Sequence, residues 1–270
     1  MALARTGTSR SLGLAAALAA SLFTTGPGLR AQAPGPWKTL FNGRDFTGWT
    51  ILTGGARAGS TNPSERNWKI EDGAISSVPP AAGERGGSLA TVESFKDVEL
   101  EFEFLLAESG TKCTPRLGDK QVNLSEDRAC AFNSGVYLRT GYQLNLGRRE
   151  AGEYIGVVVR RTGPEAIRGN VYWLSSGDCG SRRGYLEDCE TFPALRRKAD
   201  WNQLRITFKG PRLQVWLNGT RIVDVVDDPA DPLEASWKAA APIAFQFPPG
   251  GESGGFAGSV KYRNIRARGL

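Results

Sequence analysis

Phe132-Asn-Ser-Gly-Val-Tyr-Leu-Arg-Thr-Gly-Tyr-Gln-Leu-Asn-Leu146 reads as two short strands joined by a tight turn at Thr140-Gly141. Apolar and polar side chains alternate along both, the period of a strand with one face buried. Val136 and Leu138 fall on one face, Tyr137 and Arg139 on the other. Past the turn, Tyr142, Leu144 and Leu146 alternate with Gln143 and Asn145. The apolar face packs a core. The other face, with its Tyr, Arg, Gln and Asn, suits a polar, hydrogen-bonding ligand such as a sugar. A merely solvated outer face is the alternative, since antiparallel sheets are often wet on one side.

The same signal recurs outward along the chain. Val98-Glu-Leu-Glu-Phe-Glu-Phe104 alternates strictly, with Val98, Leu100, Phe102 and Phe104 inward and three glutamates outward. Gln203 to Lys209 alternates again, and Leu213 to Leu217 follows the Gly210-Pro211 break. Asn218-Gly219 is a type I′ hairpin signal, after which Arg221 to Val226 returns. Ile243 to Phe247 and Val260 to Arg268 close the chain, and Asp231 to Lys238 is the one segment read as a short helix. Many short strands with frequent turns predict an all-β fold, a two-sheet antiparallel sandwich.

The first 31 residues read as targeting, not fold. Arg5 and Arg10 precede an apolar, alanine-rich run from Leu12 to Phe23, and small residues lead to Leu29-Arg-Ala-Gln-Ala33. This is the layout of a secretory signal peptide. Cleavage is expected after Ala31, because a cut after Ala33 would set Pro34 beside it. The run is too short to span a bilayer, so no integral membrane segment is expected after cleavage. Residues 32–270 then form one domain, exported to the periplasm or beyond. The formal net charge of +6 includes Arg5, Arg10 and Arg30, so the mature chain carries +3. Its basic pairs are scattered among acids, which argues against a nucleic-acid surface.

Four cysteines in an exported chain predict two disulfides. Of three connectivities, Cys113–Cys130 with Cys179–Cys189 closes the shortest loops and is expected on entropic grounds. A four-thiolate zinc site is the competing reading, disfavoured by spacings that are not C-x2-C. No other metal is indicated. Calcium would suit acidic loops, yet no D-x-D-x-D pattern appears.

An ordered set of motifs resembles a known family. It runs Leu40-Phe-Asn-Gly43, Phe46-Thr-Gly-Trp49, Trp68-Lys-Ile-Glu-Asp-Gly-Ala-Ile75 and Phe95-Lys-Asp-Val-Glu-Leu-Glu-Phe-Glu-Phe104. Asn133-Ser-Gly-Val-Tyr-Leu-Arg139, Gly141-Tyr142, Trp201-Asn202, Val215-Trp-Leu-Asn-Gly219 and Tyr262-Arg-Asn-Ile-Arg-Ala-Arg268 complete it. The set resembles the 3-keto-disaccharide hydrolase domain family, over nearly all of the mature chain. The resemblance implies a concanavalin A-like jelly roll and an exported domain that cleaves, or binds, oxidised sugars.

Two departures from that family bear on chemistry. Its usual Gly-Tyr-Glu-x-Gln reads Gly141-Tyr-Gln-Leu-Asn145 here, so the amide Gln143 replaces a carboxylate. Its Leu-Gln followed by His-Gly reads Phe245-Gln246-Phe247-Pro248-Pro249, and the chain has no histidine at all. Histidine acid–base chemistry and Ser-His-Asp triads are thereby excluded.

Cleavage of a 3-keto-glycoside needs a base for the C2 proton, which the C3 ketone acidifies. It also needs a donor at the C3 oxygen to hold the enolate. Arg139 suits the donor role. The base is unassigned among Glu103, Glu153, Asp178, Glu187 and Asp188, since an amide at 143 cannot serve. Tyr137, Arg139, Gln143, Asn145 and Gln246 share the non-core parity of their strands and form the expected ligand face, with Trp173 or Tyr172 available to stack on a sugar. A lectin-like, non-catalytic binding domain that has lost the family's Glu and His is the alternative reading.

Overall fold

The structure is a computed structural model. It describes residues 33–52, 60–78, 86–107, 116–117, 120–121, 133–139, 141–148, 156, 158–161, 171–173, 200–226, 239–247 and 259–270. The described residues all fall in one unit, Ala33–Leu270. The expected signal segment, both cysteine pairs, Glu153, the acids at 178, 187 and 188 and the helix expected at 231–238 lie outside the described residues.

The strictly alternating segments form strands, and Ala74–Ser77 and Leu89–Phe95 form strands without alternation, Ala74–Ser77 being buried at every residue. The first half of the chain supplies β1 (Lys38–Thr39), β2 (Trp49–Ile51), β3 (Trp68–Glu71), β4 (Ala74–Ser77), β5 (Leu89–Phe95), β6 (Val98–Ala107), β7 (Arg116–Leu117) and β8 (Lys120–Gln121). The second half supplies β9 (Asn133–Leu138), β10 (Tyr142–Arg148), β11 (Val158–Arg161), β12 (Val171–Trp173), β13 (Asn202–Lys209), β14 (Arg212–Leu217), β15 (Thr220–Val226), β16 (Ala241–Phe245) and β17 (Ser259–Gly269). Among the described residues there is no α-helix. The one helical turn is a 3-10 segment, Pro63–Arg66, capped by Asn62, whose side chain accepts from the Ser64 amide. Sequence periodicity cannot show so short a turn.

Apart from β7 and β8, which pair only with each other, the strands form a two-sheet antiparallel jelly-roll sandwich. An eight-stranded sheet runs β15-β14-β13-β6-β17-β4-β3, with β1 also paired to β17. A seven-stranded sheet runs β12-β11-β10-β9-β16-β5-β2. The expected inward residues of β6 and β13 are buried between the sheets. Phe102, Phe245 and Tyr262 make the centre of the core, with Phe102 edge-on to Phe245 at 5.1 Å and Phe245 4.1 Å from Tyr262. Burying each such ring fully contributes roughly 1.5–3 kcal/mol.

On the outer face of the eight-stranded sheet the β6 glutamates meet arginines of β17. Glu99 pairs with Arg268, Glu101 with Arg266 and Glu103 with Arg263. Glu103, a candidate base on sequence grounds, is thus an ion-pair partner on that sheet. The Asn218-Gly219 hairpin forms as expected, with φ of 49° and 88°, values that only Asn and Gly adopt readily. The β9–β10 turn differs from expectation. It begins one residue early, at Arg139, whose φ is 44°; Thr140 lies outside the described residues.

Candidate functional site

Three adjacent strands of the seven-stranded sheet build a polar row on its outer face. Register sets Asn145 of β10 opposite Gly135 of β9, and the Gln246 amide, just past β16, donates to the Gly135 carbonyl at 2.8 Å. In the next row Gln143 stands opposite Tyr137, and Tyr137 opposite Ala244. The alternation that buries Val136, Leu144 and Phe245 in the core therefore gathers Tyr137, Gln143, Asn145 and Gln246 on the other side.

Gln143 is the centre of this group. It is 97% buried, leaving 3% exposed. Its Nε2 donates to Gln246 Oε1 at 2.8 Å and approaches Asn145 Oδ1 at 3.5 Å, the limit of a hydrogen bond. Its Oε1 is buried without a hydrogen-bond partner. Leaving such an acceptor unpaired costs about 1–3 kcal/mol, a cost that a donor from a ligand would remove. The group is electrically neutral. Gly135 makes room for it: a Cβ there would stand 2.8 Å from the Leu144 carbonyl and 3.0 Å from Gln143 Nε2.

Gln246 is held from behind. Ser134, on the core side of β9, donates to the Gln246 carbonyl at 2.9 Å and shares a 2.7 Å hydrogen bond with the Tyr262 hydroxyl from the opposite sheet. Burial pushes the Tyr262 phenol well above its usual range, so it stays a neutral O–H.

Arg139 does not join the amide row, which corrects the expected parity. It follows the end of β9 with a left-handed backbone, so strand alternation no longer directs its side chain. The guanidinium is buried at the end of the sandwich. It donates to the carbonyls of Lys96, Gly210 and Phe208 at 2.7, 2.7 and 3.0 Å and to Asp97 Oδ1 at 2.7 Å. It also lies 3.8 Å above the Phe208 ring. Burial draws its pKa down and Asp97 opposes that pull. Its partners tie the β5–β6 and β13–β14 turns to the β9–β10 turn, so it positions loops.

Backbone register sets Trp173 in the Gln143 row, two strands away through Val159. Among the described residues, no three or more His, Cys, Asp or Glu converge on a point, and no helix is long and apolar enough to cross a membrane. Sequence reading missed Gly135, Ser134 and Tyr262 as parts of the site. The Asn-Ser-Gly run was visible, but the small size of Gly135 acquires meaning only once Gln143 crosses over it.

Two-sheet antiparallel jelly rolls occur in lectin domains among other proteins. The chain belongs to the 3-keto-alpha-glucoside-1,2-lyase-like domain family, whose profile matches residues 36–268. Among solved structures, a candidate glycosyl hydrolase of Parabacteroides distasonis is 17% identical, with 91% of this chain and 93% of that one covered and a TM-score of 0.47. The carbohydrate binding module CBM66 of Bacillus subtilis is 10% identical, with 81% and 94% covered and a TM-score of 0.44. No curated protein matches the chain.

Proposed function

We propose that this protein is exported and acts on 3-keto-glycosides at the amide row of the seven-stranded sheet. The observation that carries the reading is the unpartnered, buried Oε1 of Gln143. It asks for a hydroxyl donor, and the neighbouring amides of Asn145 and Gln246 offer both donors and acceptors, the pattern that vicinal sugar hydroxyls match. Family membership supports an oxidised sugar as the substrate class.

The reaction consistent with that substrate begins when a base removes the C2 proton. The electrons form the enolate on the C3 oxygen. The enolate then expels the C1 substituent, which leaves with a proton as the free sugar or alcohol. Water adds across the resulting enone, restoring a C2 hydrogen and placing a hydroxyl at C1. Gln143 cannot be the base, and Arg139 is already engaged at the sheet ends, so stabilisation of the C3 oxygen falls to the side-chain amides of the row. The base comes from outside that row, and Glu153 is the first of the sequence candidates to test for it.

The amide at 143 is the specific observation that favours the second reading, a non-catalytic carbohydrate-binding domain. One experiment separates the two. Purified protein is incubated with a 3-keto-disaccharide, with and without EDTA, and release of free sugar is followed alongside binding. Turnover by the wild type supports the enzyme, and its loss in Glu153→Gln supports Glu153 as the base. Binding without turnover, with Gln143→Glu gaining turnover, supports a binding domain derived from an enzyme. Neither binding nor turnover by either form overturns both readings.

A further inference from the structure

The eight-stranded sheet carries a cleft on the face of the sandwich opposite Gln143. Along one edge β17 pairs with β6. Along the other it is shared, by β4 at Lys261–Tyr262 and by β1 at Arg266–Ala267. Between those two pairings β17 bulges: Arg263 faces Glu103 and Arg266 faces Glu101, so one extra residue sits on β17. Asn264 takes up the bulge with a φ of 52°. Beside that bulge, β1 with the segment after it, the turn at Gly73 and the facing residues of β6 and β17 bound a cleft of about 450 Å³, within the range of small-molecule sites.

The wall chemistry selects a ligand class. Glu101, Glu103, Gln203, Arg266, Asn42 and Thr39 line the cleft, with Phe41 among them. Each carboxylate is neutralised by one guanidinium through its Oε2: Arg266 at 2.9 and 2.5 Å on Glu101, and Arg263 at 2.6 Å on Glu103. A carboxylate has about four lone-pair sites, so both keep acceptor capacity toward the cleft. The two guanidinia are held a second time, Arg263 over Trp201 at 4.0 Å and Arg266 over Trp37 at 4.6 Å. Charge is balanced, so a bare cation meets the arginines and a bare anion meets the glutamates. Hydroxyl groups fit both kinds of wall, donating to the carboxylates and accepting from Gln203 and Arg266, while the Asn42 side chain is held in its own turn by Asp45 and the Arg44 amide.

We propose that this cleft is a second binding site for a neutral, polyhydroxylated ligand, a mono- or disaccharide unit, separate from the amide row and independent of the reading given to it. It would hold a saccharide on the face away from the amide row.

The test is an amide-resolved NMR titration of the 15N-labelled protein with trehalose and with methyl β-glucoside, sugars without a ketone. Saturable shifts at Glu101, Gln203 and Asn264 are expected. Gln203 is exposed, so its variants keep the fold. Gln203→Ala should weaken binding about fivefold, the worth of one neutral hydrogen bond, and the blocking Gln203→Trp should abolish it. Shifts confined to Gly135, Gln143 and Gln246 would overturn the second site while leaving the first. No shifts with tens of millimolar sugar, or saturation by calcium chloride or sodium phosphate in place of sugar, would overturn it as well.

Discussion

Gln143 and Arg139 stand four residues apart on one hairpin, yet the fold gives them opposite roles. Gln143 keeps a buried acceptor without a partner in the amide row, whereas Arg139 spends its donors on loop carbonyls and Asp97. Arg139→Ala leaves those carbonyls short of a donor, so it should cost about 3 kcal/mol in a urea unfolding experiment. Arg139→Lys should recover little, because one ammonium cannot span a planar fork of donors. Loss below about 0.5 kcal/mol, the level of an ordinary surface substitution, would remove the structural role and return Arg139 to the ligand face. Gly135→Ala acts on the other residue. Its methyl meets the Leu144 carbonyl and Gln143 Nε2, so it should cost about 1–3 kcal/mol as overpacking does and weaken sugar binding through a displaced Gln143. A wild-type affinity in that variant would detach Gly135 from the site. The sequence showed that Gln143, Asn145, Tyr137 and Gln246 share a face, because alternation alone decides it. It did not show that Arg139 leaves that face, because a left-handed turn residue is invisible to a period-two pattern.

Among the elements, the strictly alternating strands were legible, whereas β4 and β5 were not, and β16 runs from Ala241 to Phe245 where Ile243 to Phe247 was expected. Val98–Ala107 and Asn202–Lys209 lie where alternation puts them, and the Asn218-Gly219 turn joins β14 to β15. The bulge at Asn264 was not legible. Tyr262-Arg-Asn-Ile-Arg-Ala-Arg268 reads as one strand, and only pairing with β6 reveals the extra residue that opens the second cleft. The β14–β15 hairpin carries its own electrostatic prediction. Arg212 grips Asp224 with two 2.8 Å hydrogen bonds, and Gln214 adds a third at 3.0 Å. The Arg212 hydrogen bond is the main cause that holds the Asp224 carboxyl down at about 2, against 3.8 for an ordinary aspartate. A carboxylate with a depressed folded pKa stabilises the fold above its unfolded value. That contribution is complete above pH 3.8 and is lost as pH falls toward 2. A side-chain carboxyl NMR titration should place the Asp224 midpoint near 2, and Arg212→Ala should move it upward toward 3.8. A midpoint unchanged by that substitution would show that Arg212 is not the cause.

Across the whole molecule the two sheets are joined by an aromatic core and by a polar link that runs through it. Tyr262 on β17 meets Ser134 on β9, and Ser134 in turn fixes the Gln246 carbonyl beside the amide row. The hydroxyl of one sheet therefore helps to set the amide row of the other. The phenol ring packs against Phe245, Phe102 and Trp68, so Tyr262→Phe keeps the shape and removes only the hydrogen bond. Stability should fall by about 0.5–1.5 kcal/mol, the net worth of one such bond. A loss of that size could come from anywhere in the core, so position is the sharper readout. The backbone amides of Gly135 and Gln246, and the side-chain amide of Gln246, should shift in the NMR spectrum of Tyr262→Phe. Those of the Arg212–Asp224 hairpin, in the eight-stranded sheet but remote from Ser134 in the bonding scheme, should not. Sugar affinity at the amide row should fall with the Gln246 shift, because Gln246 Oε1 is the acceptor that orients Gln143. If the Gln246 signals stay in place, the two sheets meet at Ser134 without coupling, and the amide row owes its geometry to β9, β10 and β16 alone.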